Sequence, residues 1–98
     1  MARLDVFELS DGLRVLDCQS EELDYLTTRF IVPLVPLADA PKPAARLNPV
    51  FDIAGEPHMM VTQFAATMPT RDLTNLVGSL GNEHFVVIAA LDMLISGY

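Results

Sequence analysis

From Glu83 to Ile95 the chain is apolar on nearly every side, and this segment constrains the fold more than any other. Phe85-Val-Val-Ile88 suits a helix or a buried strand equally well. A run of about thirteen residues exceeds a usual strand, however, and Ala89-Ala-Leu91 favours a helix. A helix without a polar face needs cover on both sides. The chain has 98 residues, of which 51% are hydrophobic and 19% charged. One compact domain, residues 1–98, is the most that length allows, and disorder is excluded. So much apolar surface on so small a domain points to a homodimer with this helix near the two-fold axis.

The first two-thirds of the chain read as strands. Leu4 to Phe7 runs into Ser10-Asp-Gly12, and Leu13 to Cys18 runs back. Asp-Gly between apolar segments marks a hairpin, because both residues tolerate the positive φ of a tight turn. Gln19 to Asp24 is a polar, acidic loop. Arg29 to Leu37 is apolar and β-branched, but Pro33 and Pro36 each remove a ladder donor. It cannot be a regular central strand throughout. Ala38 to Ala45 reads as an exposed loop. Val50–Ile53, a turn at Ala54-Gly-Glu56 and Met59–Phe64 form a second hairpin. Thr70 then reads as an N-cap for an amphipathic helix carrying Leu73, Leu76, Val77 and Leu80. The expected architecture is a small, mainly antiparallel β-barrel with a C-terminal helix.

Charge and chemistry narrow the function. Six Lys and Arg against thirteen Asp and Glu leave a net charge of −7. That gives little with which to neutralise phosphates, so direct nucleic-acid binding is not expected and a basic protein surface is the natural partner. Cys18 is the one cysteine, which fits a reducing cytoplasm, and no apolar run is long enough for a membrane span of about 20 residues. Cys18 reads as a buried structural thiol, and Met59-Met60 as core. His58 and His84 read as solvated or edge histidines, without a metal-binding pattern. No cofactor and no enzymatic activity are expected. Glu21, Glu22 and Asp24, with Asp17 just before them, are either a solvated loop or a surface that docks arginines and lysines. Tyr98, the last residue, either packs back onto the barrel or anchors a partner.

A series of pieces in one order resembles the CcdB family, the toxin half of plasmid-addiction toxin–antitoxin pairs. They are Arg14-Val-Leu-Asp-Cys-Gln-Ser20, Arg29-Phe-Ile-Val-Pro-Leu34, Leu47-Asn-Pro-Val50, Asp52-Ile-Ala-Gly-Glu56 and Met59-Met60 with Thr62. The resemblance implies an SH3-like antiparallel β-barrel with a C-terminal α-helix, working as a homodimer. It implies binding to the A subunit of DNA gyrase, trapping of the enzyme on cleaved DNA, and neutralisation by a cognate antitoxin through a disordered C-terminal tail. The implied gyrase-binding residues are Ser20, in the family's Gln-Ser loop, and Ser96, Gly97 and Tyr98, at its Trp-Gly-Ile ending. Ser96 stands at the tryptophan position and Tyr98 at the isoleucine. Two other readings are a non-toxic relative that binds antitoxin or another target, and an mRNA endoribonuclease like MazF, which shares the barrel.

Overall fold

The computed structural model describes residues 3–97. Seven antiparallel strands build one curled sheet, closed by a C-terminal helix. The strands are β1 (Asp5–Glu8), β2 (Arg14–Asp17), β3 (Thr28–Pro36), β4 (Val50–Ile53), β5 (Glu56–Met60), β6 (Ala66–Pro69) and β7 (Leu76–Ser79). The helix α1 is His84–Ser96. The sheet runs β4-β5-β3-β2-β1-β7, with β6 also pairing to β3. The mainly β barrel-like fold expected from the sequence is therefore the one observed.

Both hairpins form. In the first, Leu13 N–H donates to Asp11 Oδ1 at 3.0 Å and the turn closes between Leu9 and Leu13. In the second, Ile53 pairs with Glu56, leaving Ala54 and Gly55 as a two-residue turn with φ of 55° and 83°. That backbone suits the twist of the flanking strands but requires positive φ at both positions. Ala54 has a Cβ, so it sits there at a cost that asparagine bears more easily. Ala54→Asn is expected to raise stability by about 0.5–1 kcal/mol, read as a higher urea midpoint with an unchanged slope.

β3 shows how a central strand accommodates two prolines. Cys18 N–H donates to the Phe30 carbonyl, and the β2–β3 register continues through Leu16–Val32 and Arg14–Leu34. Bonded pairs alternate along an antiparallel ladder, so Val15–Pro33 falls on a non-bonded pair. The missing Pro33 N–H would have faced the other edge, where Thr28–Ile31 pairs with β6 and Leu34–Pro36 with β5. Pro33 lies between those two partners, and its carbonyl accepts from Val61 N–H at 2.9 Å. The strand is continuous; it is the second edge that breaks.

The two faces of β2 enter two cores. Leu16 and Cys18 join Val6, Val32, Leu34, Phe51, Ile53 and Met60 beneath Val87, Ala90 and Leu91 of α1. Val15 joins Phe7, Ile31 and Leu73 on the opposite face. Leu73 belongs to the segment that was expected to be helical. Instead Thr70–Asp72 makes a single 3-10 turn and the chain extends into β7, which pairs with β1. Thr74 and Asn75 are poor helix formers, and Gly78 and Gly81 each cost a helix about 1 kcal/mol. The edge of β1 also needs partners for its backbone groups. A strand rises about 3.3 Å per residue against 1.5 Å for a helix, so an extended chain covers both the second core and that edge. Two boundaries move as well. The second hairpin's return strand ends at Met60, with Phe64 exposed in a following 3-10 turn, and α1 begins after Glu83 with no side-chain cap.

Candidate functional site

The loop after β2 is anchored by hydrogen bonds from a buried side chain. The Gln19 side chain, two residues past the end of β2, is buried and makes three hydrogen bonds. Its Nε2 donates to the carbonyls of Leu23 (3.1 Å) and Thr28 (3.0 Å), and its Oε1 accepts from Phe30 N–H (3.0 Å). Ser20 is exposed and caps the 3-10 turn Glu21–Leu23, its hydroxyl accepting from Glu22 N–H at 3.2 Å.

Asp17 is no part of the exposed acidic loop. It is completely buried and pairs with Arg29, itself 1% exposed, through Nη2 at 2.6 Å and Nε at 3.0 Å. Its second oxygen accepts from Gln19 N–H at 3.1 Å. Arg29 also reaches Asp24 from Nη1 at 2.5 Å. Burial works against the Arg29 charge, but the hydrogen bonds and charges of Asp17 and Asp24 outweigh it and raise the guanidinium's pKa. Asp24 is thus committed within the chain, and Glu21 and Glu22 are the loop's outward carboxylates.

Arg3 ties this turn to α1. Its N–H donates to Glu21 Oε1 at 3.2 Å, and its Nη1 lies 3.5 Å from His84 Nδ1 at the helix start. At the other end of α1, about 18 Å along at 1.5 Å per residue, Ser96 is exposed. Gly97 follows as the left-handed cap, with φ 78° and its N–H donating to the Met93 carbonyl at 3.1 Å. An added Cβ at Gly97 would meet nothing, so backbone conformation alone demands glycine there. Tyr98 lies outside the described residues. Among the described residues no hydrogen bond joins Ser20 to Ser96 or Gly97; the Ser20 turn is linked through Arg3 to His84 at the helix start, whereas Ser96 and Gly97 close the other end of α1.

An outward strip of α1 runs Phe85, Ala89, Asp92 and Ser96, at the spacing that puts residues on one helix face. Phe85 is 86% exposed. Ile88 and Ile95 lie on one flank, with Ile95 77% exposed, and Val86 and Met93 on the other. The expectation of a helix apolar all round thus resolves into a buried stripe of Val87, Ala90 and Leu91, two apolar flanks, and an outward strip made polar at its C-terminal end by Asp92 and Ser96.

The remaining candidates are structural. Burial, followed by the neighbouring Asp17 charge, pushes the Cys18 thiol up to about 12, so it stays protonated and inert at neutral pH. Met59 and Met60 are fully buried core residues. His58, expected at an edge or in solvent, is instead buried on β5, paired between Pro36 of β3 and Phe51 of β4. Its Nδ1 is 2.9 Å from the Glu56 carbonyl and its Nε2 3.4 Å from Arg14 Nη1, so neighbours satisfy both nitrogens. His84 is half-buried and stacks edge-on against Phe85. Among the described residues, no group of three or more His, Cys, Asp or Glu could hold a metal ion, and no helix is long and apolar enough to cross a membrane.

The structure is a small antiparallel barrel-like sheet closed by one helix, with a hydrogen-bonded loop tied through Arg3 to the helix start and a glycine cap at the helix end. The chain belongs to the CcdB family: the family model described as CcdB protein matches residues 7–97. The family consists of toxins of toxin–antitoxin pairs, which are poisons rather than enzymes. No curated protein matches the chain. The match ends at Gly97 and so takes in both ends of the strip. Sequence reading missed Gln19, Arg29 and Arg3 as the residues that fix the loop. Gln19 carried a signal, being a polar residue directly after a strand with buried neighbours. The partners of Arg29 and Arg3 come together only through the fold.

Proposed function

We propose that this chain is a cytoplasmic toxin that acts by binding the A subunit of DNA gyrase and trapping the enzyme on cleaved DNA, and that a cognate antitoxin neutralises it through a disordered C-terminal tail. The observation that carries this reading is membership of the CcdB family across residues 7–97. The assigned gyrase contact comprises Ser20, Ser96, Gly97 and Tyr98, together with the outward strip of α1 that ends at Ser96. The net charge of −7 favours a cationic docking surface over nucleic acid. Serine at the family's tryptophan position removes a hot spot worth on the order of 2–4 kcal/mol, and Tyr98 supplies an aromatic two positions later. That same serine favours the second reading, a relative that binds antitoxin or another target without killing. A MazF-like endoribonuclease needs grouped cations to stabilise a charged transition state. Here Arg29 is sealed in an ion pair and Arg14 is paired with Glu8 at 3.4 Å. Induced expression followed by growth measurement, with gyrase cleavage and mRNA integrity assayed on the same protein, separates the three.

The proposed homodimer uses the Ile88–Ile95 flank of α1. Ile95 is 77% exposed, so Ile95→Lys places a charge in the interface without disturbing the core. Sedimentation at micromolar concentration is expected to give a dimer for the parent and a folded monomer for the variant. A parent that is monomeric throughout that range would remove the dimer from the account. A charge at Leu91, by contrast, enters the main core and unfolds the chain.

A further inference from the structure

A groove opens on the other flank of α1, away from the Ile88–Ile95 side, and shares Phe85 and Ala89 with the outward strip. Ala45, Arg46, Pro49, Phe85, Val86 and Ala89 line this open groove of about 550 Å³. Its volume falls within the range of about 300–1,000 Å³ typical of ligand sites. Its walls are apolar apart from one cation. Arg46 is exposed in the 3-10 turn Ala45–Leu47, and its one polar side-chain contact among the described residues is Nη2 to the Met93 sulfur at 3.7 Å. On a chain of net charge −7, this puts an arginine with no carboxylate partner among the described residues at the rim of an apolar trough.

We infer that this groove is the docking site for an apolar segment of a protein partner that carries a carboxylate opposite Arg46. An apolar side chain of that segment would cover the Val86–Ala89 wall and Phe85, and its acid would pair with Arg46 at the rim. Charge selects the occupant. A basic segment would face Arg46 unpaired, and a purely apolar one would leave the guanidinium partly desolvated without a partner. A second copy of this chain would bring its own Arg46 into any two-fold contact centred on the groove, setting like charges together. Assigning the segment to the antitoxin's tail rests on the toxin reading; the acidic, apolar character of the segment does not.

Two synthetic helical peptides test this. Both carry the same leucine face, with glutamates flanking it in one and lysines in the other. With isotope-labelled protein, the glutamate peptide is expected to shift the amide resonances of Arg46, Val86 and Ala89 and to bind at least tenfold more tightly than the lysine peptide. Arg46→Glu, at an exposed position, is expected to reverse that preference while leaving the circular dichroism spectrum unchanged. Ala89→Trp, which fills the trough, is expected to weaken the glutamate peptide at least tenfold. Equal binding of the two peptides, shifts confined to another face, or a preference untouched by Arg46→Glu would each overturn the inference. So would groove resonances that move with protein concentration when no peptide is present. None of these readouts depends on toxicity, so failure of the toxin reading and failure of this inference are distinguishable.

Discussion

Replacing Asp17 with alanine is expected to destabilise the protein by about 3–5 kcal/mol, the cost of leaving a buried guanidinium without its carboxylate. Arg29 is 1% exposed and Asp17 fully buried, so water cannot take the missing partner's place. Asp24 reaches only Nη1, leaving Nε and Nη2 unpaired, and Gln19 loses the acceptor for its backbone N–H. Small domains hold near the low end of about 5–15 kcal/mol in total, so this single change consumes most of the stability. Urea unfolding measures it. Asp17→Ala combined with Arg29→Met is expected to recover a large part of the loss, because an apolar replacement of a buried pair is often close to neutral. A loss under about 1 kcal/mol for the single variant would mean that the pair does not hold the loop.

Deleting Gly97 and Tyr98 is expected to abolish growth arrest while leaving the fold intact. Gly97 follows the last helical residue, Ser96, and no described side chain packs within 4 Å of the position its Cβ would take. The fold loses a C-cap bond from Gly97 N–H to Met93, worth about 1 kcal/mol. The proposed contact loses an aromatic hot spot, worth at least about 2 kcal/mol or some thirtyfold in affinity. Growth curves after induction, paired with thermal unfolding of the purified variant, separate the two effects. Arrest undiminished in a folded deletion variant would take the contact away from the tail.

Local chemistry made both hairpins legible, because each turn carries a glycine, Gly12 or Gly55, that adopts positive φ freely between two apolar segments. The alternation of Leu13 to Cys18 puts Val15 on one face of β2 and Leu16 on the other, but that both faces are covered by separate cores is visible only in the fold. The segment from Thr70 to Leu80 was not legible. Its leucines match helical spacing, yet Leu73 and Leu80 serve different cores and Leu76 is 58% exposed. What decided it was the open edge of β1, a demand from outside the segment that its periodicity could not carry. Asp17 and His58 were misread for a related reason. A charged or titratable residue looks solvent-facing in sequence until the fold supplies Arg29 or Arg14 to pair with it. At the candidate site, Ser20, Ser96 and Gly97 entered through the resemblance to CcdB, whereas the outward strip emerged only when α1 showed which residues it buries.

The most direct test of the central claim is supercoiled plasmid incubated with gyrase and the purified protein, then denatured and scored for linear DNA. The account predicts linear product that rises with protein concentration, requires gyrase, and is absent with the Gly97–Tyr98 deletion. Growth arrest in cells with no linear product in this assay would contradict gyrase as the target. If the parent yields neither arrest nor cleavage and Ser96→Trp restores both, the chain is a CcdB relative that has lost its poison, and the toxin reading fails.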